Sequence, residues 1–401
     1  MESKIISPPD VQVKDSSRTA EKHIAFLDPI RGVAILSVFL FHAFGATFHA
    51  LALDWNGTLR DWNVSPSFLG LLPVIFGWMG VAIFFVVSGF CIHLSHERSR
   101  QKSFKVFFIR RFFRIYPPYL LALCFFVFVY PPTCLDFSSH LRHTQPSYIY
   151  SSVTTGTHLL LIHNFFGLFN KSINGSFWSI AVEVQLYALY PLLLWLVSRL
   201  GWLRTLYLTG LIEFSMRGLQ GILSIFLPAF SLSGWFTESP LIFWYSWSIG
   251  AALADAYLKK EPLPFQKTSL LLWPVLAVSC YFWKPLFPFC FTLAALSTAV
   301  FISHFLTRPT PALSQGGIQG LVLRHLAWVG TVSYSAYLIH QPLVEQMPGI
   351  LHRVLPAENI PSLACYAFSV LSWFPILALS YLLYRWVELP SIAWGKRLTK
   401  S

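Results

Sequence analysis

Long apolar runs recur from end to end of the chain, and short polar or basic loops separate them. A helix that crosses a bilayer needs about 20 predominantly apolar residues. The pattern therefore predicts an all-α fold, a polytopic bundle of about ten transmembrane helices. The predicted spans are residues 29–50, 69–95, 115–131, 177–198, 204–231, 241–258, 270–283, 286–306, 323–346 and 363–386.

One further apolar stretch, residues 157–169, is short and is predicted to be re-entrant or interfacial. With it left out, ten spans put both termini in the cytoplasm. The loops on that side then carry 23 of the 29 Lys and Arg residues, against five on the other side. This is the bias expected of cytoplasmic loops. The predicted organisation is a cytoplasmic tail over 1–26, a transmembrane domain over 27–386 and a cytoplasmic tail over 387–401.

The composition agrees with this pattern. The chain is 55% hydrophobic and 11% charged, whereas soluble proteins are about 25% charged. Its net charge of +12 comes from basic residues that flank the apolar runs, so the expected partner is anionic lipid and no nucleic acid. No cleavable signal peptide is visible. The six cysteines lack metal-ligand spacing and are predicted to be packing residues, so no metal site is expected.

Arg31 and His42 are the first candidates for chemistry. They lie eleven residues apart in the first span, so both fall on one helical stripe with about 16 Å of rise between them. Ionisable groups inside a membrane are expensive and usually functional. The alternatives are an interfacial anchor for Arg31 and a hydrogen-bonded packing role for His42. Asp28 is expected to share a face with Arg31.

Arg111 and Arg114 end a basic run and stand where the third span begins. There they would meet the phosphates of a ligand that enters from the cytoplasm. The alternative is a plain topology signal, which accounts for the outer members of the run.

Glu183 lies about six residues into the fourth span, where a carboxylate needs a partner or a wet cavity. At 1.5 Å per residue it lies about 9 Å from the outer end of its span, and His42 about 12 Å from the outer end of its own. The two depths are similar, so the side chains are predicted to meet. A histidine beside a carboxylate is typical of a general base or an activated nucleophile.

Weaker signals accompany these residues. His340 and Tyr337 in the ninth span, and Asn164 before a polar turn, are candidate substrate contacts, with a structural hydrogen bond as the alternative for His340. Glu213 and Arg217 are spaced to satisfy each other within a helix. No Walker loop, GxSxG, HExxH or GxGxxG after a strand is present in the sequence.

Taken in order, several segments of the chain resemble the acyltransferase-3 family of polytopic membrane acyltransferases. The resemblance covers nearly all of residues 24–395. Its Arg-x10-His pattern falls on Arg31 and His42, its Arg-x-x-Arg pattern on Arg111 and Arg114, and its glutamate on Glu183. Pro29 departs from the family, where glycine is commoner. The segments are FLDPIRGVAILSVFLFH, GVAIFFVVSGFCI, RRFFRIYPPYL, FWSIAVEVQLYALYP, SYSAYLIHQPL and VELPSIAWGKRL.

The resemblance implies transfer of an acyl group, usually acetyl, from cytoplasmic acyl-CoA as a co-substrate. The acceptor is expected to be a hydroxyl of a glycan, a lipid-linked sugar or a small molecule. His42 would be the base or would carry the acyl group transiently. A bacterial inner membrane is the expected location, with a eukaryotic membrane as the alternative. The alternatives are a secondary transporter or flippase for a glycan or lipid, and a catalytically silent sensor on the same scaffold. A transporter would more often show broken helices at the midplane.

Overall fold

The fold is taken from a computed structural model. The structure describes residues 27–50, 72–99, 101–129, 152–167, 169–227, 234–283, 285–307, 317–354 and 362–399. Every regular element in these ranges is a helix, which confirms the predicted all-α class. The predicted tail over 1–26 lies outside the described residues.

Within the described ranges, the helices of eight or more residues are numbered here in chain order. The first half of the chain contributes α1 (Leu27–Ala50), α2 (Gly80–Glu97), α3 (Phe104–Cys124), α4 (Ser152–Leu159), α5 (Phe177–Phe226), α6 (Trp244–Lys259) and α7 (Leu272–Tyr281). The second half contributes α8 (Cys290–Thr307), α9 (Gly317–Thr331), α10 (Ser333–Glu345), α11 (Met347–Val354), α12 (Ser362–Leu371), α13 (Trp373–Leu383) and α14 (Leu389–Leu398). A π-helical turn, Tyr384–Glu388, joins α13 to α14.

Six helical segments of the described chain are long and apolar enough to cross a membrane, which makes this a multi-pass membrane protein. The predicted number of ten spans and the cytoplasmic position of both termini stay predictions. The six segments are Leu27–Thr47, Phe76–Glu97, Phe104–Val129, Phe177–Phe226, Phe287–Thr307 and Tyr366–Leu398.

Helix α5 accounts for part of the difference between the six apolar segments and the ten predicted spans. Its 50 residues contain two predicted spans and would extend about 75 Å, more than twice the ~30 Å hydrocarbon core of a bilayer. The helix breaks at Gly201, where φ is 76° and ψ is 165°, a conformation that glycine adopts readily. The predicted boundary between residues 198 and 204 contains this break.

Other predicted spans correspond to shorter helices. The span predicted over 270–283 corresponds to the ten residues of α7, and the one over 323–346 is divided between α9 and α10. Helix α4 has eight residues, which are too few to cross a bilayer. The stretch 157–169 shares only its first three residues with α4 and continues into a 3-10 turn at His163–Phe165, and the prediction that it does not cross stays a prediction.

Two close helix crossings hold the bundle together around the site. A Cβ on Gly250 of α6 would overlap the backbone oxygen of Val86 in α2, and a Cβ on Gly330 of α9 would overlap the backbone oxygen of Asp28 in α1. Glycine at a crossing lets two helix backbones approach closely. The first crossing brings the indole of Trp247 to Ser88, with Nε1 3.3 Å from Oγ.

The predicted pair of Glu213 and Arg217 is confirmed, with 3.3 Å between Oε1 and Nη2 in the buried interior. Ser246 and Thr292 donate further hydrogen bonds to the same carboxylate oxygen, at 2.7 and 2.5 Å. Arg217 also donates to the carbonyl oxygen of Ile242 at 2.8 Å. Because both charges are surrounded by partners, this cluster is structural.

Candidate active site

A cavity of about 260 Å³ lies where α1, α2, α3, α5, α10 and the turn before α14 converge. Charged side chains inside a membrane bundle are rare and usually functional. Five of the predicted site residues, the three arginines, Glu183 and Tyr337, line this one cavity. Its charged lining residues are Asp28, Arg31, Arg111, Arg114, Glu183 and Glu388.

Arg31 is held at the first turn of α1. Its Nη1 donates to Asp28 Oδ1 at 2.9 Å, so the predicted shared face of these two residues is confirmed. Its Nη2 contacts the Cys91 sulfur of α2 at 3.1 Å. These two contacts orient the guanidinium across the cavity wall between α1 and α2.

Arg111 and Arg114 of α3 line the cavity, and some of their N–H groups have no protein acceptor among the described residues. Arg111 Nη2 donates to Ser95 Oγ at 3.3 Å, while its buried Nε has no partner within the described residues. Arg114 interacts electrostatically with Asp28 and Glu388 but forms no hydrogen bond or close ion pair in the described part of the chain. Free guanidinium donors suit a phosphate or another anionic ligand.

Glu183 is held by hydroxyl groups. Ser88 Oγ donates to Glu183 Oε1 at 2.8 Å, and Tyr187 OH donates to the same oxygen at 2.5 Å. Ser88 accepts in turn from Trp247. The α2–α6 crossing and one turn of α5 thus position this carboxylate.

The structure does not bring Glu183 and His42 into contact in the described residues, contrary to the meeting predicted from their depths. His42 is half-buried on the side of α1 that faces α10. Its Nδ1 lies 2.9 Å from the carbonyl oxygen of Val38 and 3.2 Å from His340 Nε2. Equal depth along two helices does not fix the directions in which their side chains point, which is why the prediction failed.

Backbone carbonyls determine which nitrogen of each histidine carries the proton. His340 Nδ1 lies 2.9 Å from the carbonyl oxygen of Tyr337, and His42 Nδ1 lies at the same distance from that of Val38. A carbonyl oxygen only accepts, so each neutral ring is protonated at Nδ1. The single Nδ1–H of His42 is then shared between two acceptors, the Val38 carbonyl oxygen and His340 Nε2. His42 Nε2, which makes no hydrogen bond in the described residues, is the free basic nitrogen.

Tyr337 lies between this histidine pair and the cavity. Its ring lines the cavity, and its centroid is 5.4 Å from that of the fully buried His340. Its hydroxyl lies 2.7 Å from Ser179 Oγ. The predicted residues His340 and Tyr337 therefore connect the cavity to His42, although neither histidine is among the described residues that line it.

Asn164 has a structural environment. Its Nδ2 donates to Gln185 Oε1 at 3.1 Å and to the carbonyl oxygen of Glu238 at 2.8 Å. Gln185 Nε2 donates back to Asn164 Oδ1 at 2.8 Å. Burial raises the pKa of the Glu238 carboxyl above its usual value, although Lys171 and Asn170 oppose the shift. Asn164 therefore ties the segment before α5 to α5 itself and to residue 238 through hydrogen bonds. It is not among the described residues that line the cavity.

The sequence analysis did not point to Ser88, Tyr187 or Glu388, which also line the cavity. Glu388 was placed in the predicted C-terminal tail, whereas the structure buries it beside the cavity, where Ser335 Oγ donates to Oε2 at 2.7 Å. The sequence signal that could have pointed to Glu388 is its position two residues beyond the end of the last predicted span. No group of three His, Cys, Asp or Glu side chains in the described chain could hold a metal ion.

The comparison with known families decides the class of protein. Residues 24–385 match the acyltransferase-3 family model, described as an acyltransferase domain. The chain belongs to the acyltransferase-3 family. This confirms the resemblance seen in the sequence motifs.

Two curated relatives of this family member carry names that refer to peptidoglycan O-acetyltransferases. The chain is 23% identical over 385 residues to the peptidoglycan O-acetyltransferase OatA of Listeria monocytogenes serovar 1/2a. The match covers 86% of this chain and 53% of the relative. The chain is also 27% identical over 301 residues to YrhL of Bacillus subtilis, which is named as a candidate peptidoglycan O-acetyltransferase. That match covers 67% of this chain and 44% of the relative. The chain thus spans about half the length of these relatives. No solved structure matches it.

Proposed function

We propose that this acyltransferase moves an acetyl group from cytoplasmic acetyl-CoA to a hydroxyl of a cell-wall glycan of the peptidoglycan type, across a bacterial inner membrane. The observation that carries the proposal is one cavity lined by three arginines and connected through Tyr337 and His340 to a histidine with a free basic nitrogen. The names of the two relatives support the acetyl group and the glycan acceptor.

The donor would enter at the arginine end. Arg31, Arg111 and Arg114 would bind its phosphates, because their free donors and positive charge suit phosphate oxygens. The cavity, about 260 Å³, is near the lower limit of small-molecule sites of about 300–1,000 Å³. That size suits the narrow acyl-pantetheine arm. The rise of about 16 Å from Arg31 to His42 along α1 leaves room for the arm to approach the base.

His42 would act as the general base. Its Nε2 would take the proton of the acceptor hydroxyl while the hydroxyl oxygen attacks the thioester carbonyl. The carbon–sulfur bond then breaks, and the proton passes from His42 to the departing CoA thiolate. In the alternative route Nε2 attacks the thioester first, and the carbon–sulfur bond breaks to release CoA thiolate. The acceptor hydroxyl then displaces the acetyl group from Nε2, and its proton passes to the thiolate. The two routes differ in whether acetyl-His42 accumulates without acceptor, which mass spectrometry can detect.

His340 would be a positioning residue. By accepting from His42 Nδ1–H it would keep the Nε2 nitrogen bare and limit rotation of the ring, as the third member of a catalytic triad does. Glu183 would orient the hydroxyls of Ser88 and Tyr187 on the donor side, because these are its hydrogen-bond partners. No observation favours the transporter or flippase alternative.

The experiment compares H42A with a matched control, H304A, in purified protein reconstituted in nanodiscs. His304 also lies in an apolar helix, with Nδ1 3.0 Å from the carbonyl oxygen of Val300, but it is not among the described residues that line the cavity. Acetyl-CoA turnover with a glycan acceptor should fall about 10²- to 10⁴-fold in H42A, whereas H304A should stay near wild type. Wild-type turnover in H42A, or no acetyl-CoA turnover by the wild-type protein, would overturn the proposal.

A further inference from the structure

A second group of polar side chains lies where the segment before α5 meets the short helix Gly234–Thr237. This Glu238 cluster consists of Asn170, Lys171, Glu238 and Ser239. Asn170 Nδ2 donates to Glu238 Oε2, and the exposed Lys171 interacts electrostatically with both the Glu238 carboxyl and His42. No member of the cluster is among the described residues that line the arginine cavity. Lys171 therefore connects the cluster to the proposed base from outside that cavity.

Two buried polar atoms of the Glu238 cluster have no hydrogen-bond partner among the described residues. They are Asn170 Oδ1 and Ser239 Oγ, in residues that are 6% and 3% exposed. The neighbouring Asn164, by contrast, donates twice and accepts once through its side-chain amide. Buried polar atoms normally have a partner. Because Asn170 Nδ2 is used by Glu238, its Oδ1 is left for a donor that the described residues do not supply.

An exposed aromatic surface accompanies these polar groups. The indole of Trp235 stacks on the ring of Phe165, with centroids 4.0 Å apart and planes 18° apart, yet Trp235 is 57% exposed. Glu238 follows in the same turn, and its N–H donates to the carbonyl oxygen of Gly234 at 2.9 Å. A Cβ on Gly234 would overlap the carbonyl oxygen of Asn164. The short helix is therefore packed tightly against the segment that carries Phe165, which fixes the indole beside the Glu238 carboxyl.

This combination of groups suits a sugar. A pyranose ring has a C–H face that packs on an aromatic ring and hydroxyl groups that both donate and accept hydrogen bonds. Glu238 and Asn170 Oδ1 would accept from sugar hydroxyl or acetamido N–H groups, and Lys171 would donate to sugar oxygens. A lipid tail would use the aromatic surface alone and would leave the buried acceptors unsatisfied. The polar groups therefore favour a glycan over a lipid.

We infer that Trp235 and the Glu238 cluster form a glycan-binding subsite. The inference rests on the proposed function in so far as the bound glycan is the acetyl acceptor, because Lys171 connects the subsite to His42. The acceptor would then reach the base from the side of the Glu238 cluster, while the donor reaches it from the arginine cavity. Trp235 and Lys171 would hold the sugar and take no part in proton transfer.

Binding of an N-acetylglucosamine tetramer to the whole chain in nanodiscs tests the subsite without any acetyl transfer. W235A removes the stacking surface, and K171M removes the ammonium group. W283A and K267M are the matched controls, because Trp283 is 64% exposed, Lys267 is exposed, and neither belongs to the cluster. The Kd should rise about tenfold in W235A and severalfold in K171M and stay unchanged in the controls. No binding by the wild-type protein, or equal Kd values for W235A and W283A, would overturn the subsite.

Steady-state kinetics separate the subsite from the proposed function. With the glycan as acceptor, W235A should raise the KM for the glycan about tenfold and leave the KM for acetyl-CoA unchanged. Glycan binding that depends on Trp235, without acetyl-CoA turnover by the wild-type protein, would support the subsite and overturn the proposed function. Turnover with an unchanged glycan KM in W235A would do the reverse. In that case an equal loss of thermal midpoint in W235A and W283A would assign Trp235 to the lipid interface.

Discussion

At the scale of single residues, two backbone carbonyls determine which nitrogens of His42 and His340 carry the proton in the proposed chemistry. The carbonyls of Val38 and Tyr337 hold the Nδ1 protons of His42 and His340, so one nitrogen of His42 is left basic. In the proposed chemistry the orientation of His42 also depends on His340, whose Nε2 is a second acceptor 3.2 Å from His42 Nδ1. This is the arrangement of a base with an orienting partner, although the partner is a neutral imidazole and not a carboxylate.

Replacing His340 tests that dependence. H340L removes the acceptor at similar volume, so kcat should fall about 10²-fold or more with the KM for acetyl-CoA unchanged. H340Q places an amide oxygen where Nε2 was and should recover part of kcat. In an H42A background H340L should cause no further loss, because residues that act as a unit are not additive. A rise in KM, or further loss in that background, would indicate a merely structural residue.

The sequence predicted several residues of this site and missed their pairing. Arg31, Arg111, Arg114 and Glu183 were predictable because a charge inside an apolar run needs a polar cavity, and one cavity receives all four. The partner of His42 was not predictable. It depends on which way α1 and α10 face each other, and that is decided by packing between segments about 300 residues apart in the chain.

At the scale of helices, the position of Ser88 beside Glu183 depends on the α2–α6 crossing. The crossing is close because Gly89 and Gly250 face the opposite backbone, where a Cβ would overlap Trp247 or Val86. Apolar length predicted these two helices well. Their crossing point could not be read from length, since nothing in an apolar run says which small residue will face a neighbour.

Replacing two glycines with alanine should distinguish two effects on stability, the loss of a close helix crossing and the gain in helix propensity. G250A forces α2 and α6 apart and should lower stability by about 1–3 kcal/mol. G218A is the control, because a Cβ there lies 3.8 Å from the nearest side-chain atom, in Phe289, and alanine favours a helix interior by about 0.5–1 kcal/mol. The measurement is the thermal midpoint of each variant in one detergent. Equal midpoints for G250A and the wild-type protein would contradict the close crossing.

At the scale of the whole molecule, the proposed donor and acceptor positions lie at different depths. Arg31 lies near the start of α1, in one cavity with Arg111 and Arg114, and His42 lies about three helical turns further along α1. Apolar runs predicted the class of fold, whereas the side of donor entry, expected from the basic bias of the loops, stays a prediction. They could not show that the terminal helix α14 closes the donor cavity, because Glu388 follows an apolar run that ends close to the predicted membrane boundary.

The most direct test of the central claim is acetyl transfer in sealed proteoliposomes. Acetyl-CoA labelled in the acetyl group is added outside, a peptidoglycan glycan fragment is enclosed, and alkali-labile label on the recovered glycan is counted. Wild-type protein and H304A should label the enclosed glycan, whereas H42A and protein-free liposomes should leave it unlabelled. Equal labelling by H42A, or no labelled glycan with wild-type protein, would contradict acyl-CoA-dependent transfer through His42.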